Sequence, residues 1–289
     1  MHRKTPHRIT ALAFCMLLLL TLHPTSLAAD SQSKRRADFI DELSAMPHYD
    51  PERAERYLRF FDSEEYSAEQ VLRMVNVNAD AEVYKDYAET DVSKGELMLV
   101  NKHNYLGRYK PEKLSPLGRY GSWGSLASQA RDAFAELVDA AASEGRRIWT
   151  VSPYRSFDMQ EYLYDGYVKA HGREEADTYS ARPGWSEHQT GLAVDVAVRG
   201  KSYGEFEGTP ECDWMRRHAH EYGFILRYGE GVEYITGYIY EPWHYRYVGV
   251  EAATYIYEHD LTFEEYYYYY VVGDEPMEAP AERDVRAEN

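Results

Sequence analysis

The chain has 289 residues, 44% of them hydrophobic, and a formal charge of −17. That length and apolar content allow one sizeable folded domain with appendages, or two small ones. The acidic balance argues against nucleic acid as a partner, because phosphate binding rests on clustered Lys and Arg, and it disfavours anionic membrane surfaces.

The first thirty residues join a basic start (Arg3, Lys4, Arg8) to an apolar run from Ile9 to Leu22 and then to the small residues Ser26, Ala28 and Ala29. This pattern predicts a secretory signal over residues 1–28; the run is short for a membrane span, though it could be kept as an anchor. Cys15 lies inside the run, behind Phe14, and does not read as a lipid-attachment site. Cleavage would leave Cys212 alone, so no internal disulfide is expected. Residues 29–74 carry three short helical patterns, around ADFIDELSAM, PERAERYLRFF and SAEQVLRMV, the last opened by Ser67 as N-cap. They form a helical lead-in to a mixed segment.

In that segment LMLVNK reads as a strand and LASQARDAFAELVDAAASEG as an amphipathic helix, with Leu126, Ala130, Phe134, Leu137, Val138 and Ala141 on one face and Gly145 as its stop. RRIWTVSPYRS predicts a strand running into a turn, followed by a helix from Phe157 to about Gly172. A further helix is expected over ECDWMRRHAHEY, stopped by Gly223, and short strands at FILRY, YIYE and WHYRYV. Interspersed helices and closely spaced strands predict an α+β domain on a small antiparallel sheet with flanking helices, preceded by the short helical segment. Residues 266–289 read as a tail, first tyrosine-rich and then acidic, disordered from about Gly273.

Two stretches carry chemistry. In SARPGWSEHQTGLAVDVAV, strand alternation puts Leu192, Val194 and Val196 on one face and Ala193, Asp195 and Ala197 on the other. A carboxylate on such a strand is costly unless a cation meets it. Gly191 allows a bend that brings His188 to the same side, so the pair suits a divalent metal or, equally, a hydrogen-bonded His and Asp in a core. In YEPWHYRYVG, His244 and Arg246 alternate against Trp243, Tyr245 and Tyr247, and an irregularity at Pro242 could turn Glu241 toward whatever His244 binds. Together these residues offer three ligands, His188, Asp195 and His244, with Glu241 left over. Three protein ligands and an open fourth position is the pattern of catalytic zinc, whereas structural zinc is enclosed and cysteine-rich. Zinc brings the pKa of a bound water to about 7, and a neighbouring Glu can take its proton.

SEHQTGLAVDV and EPWHYRYVG resemble the two signature motifs of the M15 zinc peptidases, in the VanY-like D-alanyl-D-alanine carboxypeptidase branch. The first motif matches at Ser186, His188, Gly191, Ala193 and Asp195, the second at Glu241, Trp243 and His244, and LMLVNKHNYLGRYKPEKL and SPYRSFDMQ resemble that family's leading segment and substrate loop. The resemblance covers roughly residues 75–265. It implies the hedgehog/D-Ala-D-Ala peptidase-like fold and one Zn2+ per chain held by His188, Asp195 and His244. Glu241 would be the general base and then the acid for the leaving amine. Arg155, Gln160 and Ser186 match positions that contact substrate, and Arg155 suits a carboxylate or developing oxyanion. Without the motif, Arg155 would read as a surface ion pair, Ser186 as a turn cap and Gln160 as an exposed helix position.

Other candidates are weaker. His218 and His220, two apart on one helix, cannot face one metal together. Ser31–Lys34 fits S-x-x-K but lacks the companion motifs of serine-type carboxypeptidases. The expected protein is therefore an exported monomer of the periplasm or cell wall, without stable membrane association after signal cleavage, that removes the C-terminal D-alanine from peptidoglycan stem peptides. An L,D-carboxypeptidase of the same fold and a non-catalytic wall-binding protein are the alternatives.

Overall fold

A computed structural model describes residues 24–121, 123–273 and 277, with side chains from Ser31 onward. The apolar run of the expected signal lies outside the described residues, and its cleavage point falls within the first helix, α1 (Pro24–Ser44). Among the described residues no helix is long and apolar enough to cross a membrane.

The lead-in consists of α1, a helical turn over residues 51–57, and α2 (Ala68–Asn76). Ser67 caps α2 through a capping box, its Oγ accepting from Gln70 N while the Gln70 side chain accepts from Ser67 N. Leu43, Tyr57, Val71, Leu72 and Val75 give this unit its own buried cluster.

Four strands make the central sheet: β1 (Ile148–Ser152), β2 (Ala193–Val198), β3 (Phe224–Leu226) and β4 (His244–Tyr247). Their spatial order is β1-β2-β4-β3, and every neighbouring pair is antiparallel. The alternation read from the sequence holds. Val194, Val196, Tyr245 and Phe224 face α3 (Ser128–Ser143), which buries Ala130, Phe134, Leu137 and Ala141 against them. Arg246 and Ile225, cross-strand partners on β4 and β3, lie on the opposite face, where Ile225 joins Leu99, Val248, Ile256 and Phe263 in a second cluster. A bulge between Thr150 and Ser152 sets Ser152, rather than Val151, across from Asp195. This is an irregularity at the end of the sheet that carries the site.

Further helices frame the sheet, among them α4 (Phe157–His171), α5 (Pro210–His218), α6 (Val250–Glu258) and the single turn α7 (Phe263–Tyr266). Ser156 caps α4, and Gly223 ends the turn after α5 in the left-handed conformation.

Two expected strands are absent. Leu97 ends a 3-10 helical stretch, and Met98–Lys102 forms no ladder because the carbonyl groups here are used elsewhere: Arg246 Nη2 donates to those of Glu96 and Met98 (both 2.8 Å), and Thr90 Oγ1 to that of Leu99 (2.9 Å). Tyr238–Glu241 is likewise irregular, its backbone amides donating to Thr178 O (3.2 Å, from Ile239) and Tyr228 O (3.1 Å, from Glu241). The tyrosine run also departs from the expected tail. Thr262 caps α7, the chain continues as a π-helical turn over Tyr267–Val271, and Tyr266, Tyr267 and Tyr269 are buried. These rings fill the space between α6 and the lead-in: Tyr266 and Tyr267 join the Leu99 cluster, while Tyr269 stacks on His48 at 4.2 Å. The acidic end, from residue 278, lies outside the described residues.

Candidate active site

The site is built from the sheet register outward. Asp195 on β2 and His244 on β4 are direct cross-strand partners, so their side chains leave the same face side by side. Asp195 Oδ1 lies 3.1 Å from His244 Nδ1. His188 arrives from the short turn Glu187–Thr190 just before β2, and its Nε2 stands 3.3 Å from Asp195 Oδ2. The reversal between that turn and the strand falls on Gly191 at φ 71°, where a Cβ would come within 2.9 Å of Ala127 N. The bend expected there is therefore a steric requirement for glycine.

Ligand atoms of His188, Asp195 and His244 lie within 4.8 Å of one another, and all three residues are buried. Both rings have their outward nitrogen directed away from the cluster. His188 Nδ1 is 2.9 Å from Pro153 O, so it carries the proton and leaves the Nε2 lone pair facing Asp195. His244 Nε2 faces Glu187 Oε2 at 3.4 Å, leaving Nδ1 inward. Burial alone would make His244 less basic, but Asp195 and Glu187 overcome it and lift the ring to about 9. Burial also disfavours charge on Asp195, yet His188 and His244 hold its carboxyl well below the usual range. Asp195 Oδ1 has no hydrogen-bond partner although it is buried. Two nitrogens, a carboxylate with an unsatisfied oxygen, and an imidazole that attracts positive charge form a donor set fitted to a divalent cation.

Glu241 lies beside the cluster. The turn Glu241–His244, closed by His244 N donating to Glu241 O at 3.1 Å, folds its side chain back so that Oε2 is 3.7 Å from His244 Nδ1. Burial pushes this carboxyl up to about 8, against the opposing pull of His244 and with Asp195 adding to it. A carboxylate that is costly to keep charged, beside a metal site, is poised to accept and hold a proton.

These groups floor a cleft of about 560 Å³ walled by Tyr154, Tyr203, Tyr228 and Trp243. Arg155 reaches into it, 3.8 Å from Asp195 Oδ2, steadied by Nη2 donating to Ser152 Oγ (2.7 Å) and Nη1 to Gln160 Oε1 (2.7 Å). Ser186 is buried in the cleft wall and makes no side-chain cap bond, so the turn-cap alternative does not apply. Gln160 is neither exposed on its helix nor part of the wall. It is buried one layer back, donating Nε2 to Ala181 O at 2.7 Å while Oε1 receives Arg155. It orients the arginine.

The other histidines stay apart: His218 Nδ1 is 3.2 Å from Glu221, and His220 stacks on Tyr257. Ser31–Lys34 lies exposed on α1. What sequence reasoning missed is the buried group behind His244. Glu187 receives Arg227 and Arg246, and Arg227 also pairs with Glu264, all four side chains being essentially solvent-free. The signal was present, since arginines inside FILRY and WHYRYV require carboxylate partners by the argument applied to Asp195.

Residues 124–250 match the family model described as VanY, D-alanyl-D-alanine carboxypeptidase. The chain is similar to the putative carboxypeptidase YodJ of Bacillus subtilis strain 168, 41% identical over 181 residues that cover 59% of this chain and 66% of that protein, just under two thirds of its length. Among solved structures it resembles the LdcB LD-carboxypeptidase (39% identity, TM-score 0.60, covering 64% of this chain and 92% of the other). It also resembles a vancomycin-resistance D,D-pentapeptidase VanY solved in complex with Zn(II) (35% identity, TM-score 0.53, covering 59% and 98%). With His188, Asp195, His244 and Glu241 gathered in one cleft of this α+β fold, the chain belongs to the VanY-like D-alanyl-D-alanine carboxypeptidases of the M15 peptidase family.

Proposed function

We propose that this chain is a zinc-dependent carboxypeptidase that removes the C-terminal D-alanine from peptidoglycan stem peptides. The observation that carries this reading is the buried His188, Asp195 and His244 set with Glu241 beside it at the floor of an open cleft. Those three residues would hold one zinc ion, which when bound would supply Lewis acidity to a water and to the scissile carbonyl. Glu241 accepts the water's proton at Oε2 and returns it to the leaving amine of D-alanine. Arg155, fixed by Ser152 and Gln160, meets the negative charge of the substrate's terminal carboxylate or of the developing oxyanion, and Ser186 contacts the peptide from the cleft wall.

The catalytic unit is residues 75–265, extended by the packed turn to Val271, with residues 29–74 as an accessory helical unit. Residues 1–28 direct export to the periplasm or cell wall, where the chain works as a monomer without stable membrane association. A second reading, L,D-carboxypeptidase activity on tetrapeptide stems, is favoured by the likeness to LdcB. The intact Glu241 weighs against a non-catalytic wall-binding role. Purified protein incubated with pentapeptide and tetrapeptide stems, with and without chelator, tests both readings through D-alanine release followed by mass. Chelator-sensitive shortening of the pentapeptide supports the first, of the tetrapeptide the second, and no shortening of either with zinc bound overturns the enzyme reading.

A further inference from the structure

Behind His244 lies a group of charges that the proposed chemistry does not use. Glu187 Oε1 accepts from Arg227 Nε and Arg246 Nη1, each at 2.9 Å. Arg227 turns its other edge to Glu264, with Nη1 to Oε2 at 2.8 Å and Nη2 to Oε1 at 2.5 Å, and Asn101 Nδ2 donates to the same Glu264 Oε1 at 3.0 Å. The two arginines and two glutamates are buried and balance in charge. One atom of the group is left over. Glu187 Oε2 and His244 Nε2 are both buried, neither has another hydrogen-bond partner, and they face each other at 3.4 Å.

We propose that Glu187 is a positioning residue for the metal ligand His244, and that Arg227 and Glu264 hold it in place. This rests on the zinc reading above. When Nδ1 of His244 gives its lone pair to a metal, the ring proton must sit on Nε2, and Glu187 Oε2 is the acceptor there. That contact fixes the tautomer and the ring plane and raises the donor strength of Nδ1. Glu264 stands outside the family-matched residues 124–250, on the turn that begins the tyrosine run. The segment Thr262–Val271 is thereby part of the support of the metal site.

The test measures zinc affinity of the full chain by competition with a chromophoric chelator, together with the visible spectrum of the Co(II)-loaded protein, for wild type, Glu187→Gln and Glu264→Gln. Glu187→Gln is expected to weaken zinc binding about 10- to 100-fold and to shift the Co(II) bands; Glu264→Gln is expected to weaken binding less, in the same direction. A purely structural role for the network would lower the melting temperature and leave affinity and spectrum of the folded fraction unchanged, which overturns the proposal. If Glu187→Gln does not fold, Glu264→Gln decides: unchanged affinity overturns the proposal. A wild type that takes up no zinc overturns this inference and the functional reading together, whereas zinc-binding wild type with unaffected variants overturns the inference alone.

Discussion

Asp195 and His244 are cross-strand partners on neighbouring antiparallel strands, with Oδ1 3.1 Å from Nδ1. Two of the three proposed metal ligands are therefore placed by strand register, and a slip of one residue would turn one of them to the opposite face. Asp195→Ala should reduce bound zinc from one equivalent to near zero after dialysis, read by elemental analysis, with the sheet intact by circular dichroism. A variant that retains a full equivalent would show that the ligand set is wrong.

Glu241 faces the cluster without belonging to it. Glu241→Gln keeps the volume and removes the proposed base, so zinc content should be unchanged while kcat falls by about 10²- to 10⁴-fold. Wild-type turnover in this variant would discard the assigned proton transfer even with the metal site standing.

Arg155 and Gln160 form a two-layer device, the first reaching the cleft and the second gripping it from behind. Arg155→Ala should raise KM and lower kcat. Gln160→Ala should lower kcat/KM by about tenfold, on the order of 1.4 kcal/mol, through loss of orientation and of the Ala181 contact. Equal kcat/KM for Gln160→Ala and wild type would return that residue to a simple packing role.

Much of this site is legible in the sequence, because strand alternation and motif spacing are local. Val194 and Val196 against Asp195, the bend at Gly191 and the Pro242 irregularity all appear as read. What was not legible depended on partners far along the chain. Leu97–Lys102 has strand composition, but Arg246, some 150 residues later, takes the carbonyls of Glu96 and Met98. Glu187 sat in plain view beside His188, and its meaning required Arg227 and Arg246 to be known as its neighbours. The tyrosine run resembled a low-complexity tail until Leu99, Ile256 and His48 supplied surfaces for its rings.

Gly191 offers a stability test with an internal control. Gly191→Ala combines a left-handed backbone with a Cβ 2.9 Å from Ala127 N, and should cost about 1–3 kcal/mol in denaturant unfolding. Gly145→Ala, at φ 76° with nothing within 4 Å, carries the backbone strain alone and should cost about 1–2 kcal/mol at most. If Gly145→Ala proves the more damaging, the close approach to Ala127 does not constrain the turn.

The lead-in meets the catalytic unit at two places, with Tyr66 against Tyr234 and with Arg73 and Asn76 reaching the end of the fold. Arg73 pairs with Glu265 at 2.6 and 3.0 Å, and Asn76 Nδ2 donates to Tyr269 OH at 3.3 Å. Arg73→Ala should lower stability by about 1–3 kcal/mol and speed proteolysis of residues 31–77, because it strips a buried carboxylate of its cation. Unchanged proteolysis would mean that the helices hold on without this pair.

The same two contacts bridge separations of 192 and 193 residues. A chain synthesised, and on the reading above exported, from its N-terminus presents α1 and α2 first and their tyrosine partners last. These two contacts cannot form until nearly all of the catalytic unit has emerged, so this part of the docking closes late in folding. Until then Tyr57, Val71 and Val75 are covered only from within the lead-in, by Leu43, Leu72 and the aromatic residues packed on them, so the interval before residue 269 appears leaves the docking face of these helices open.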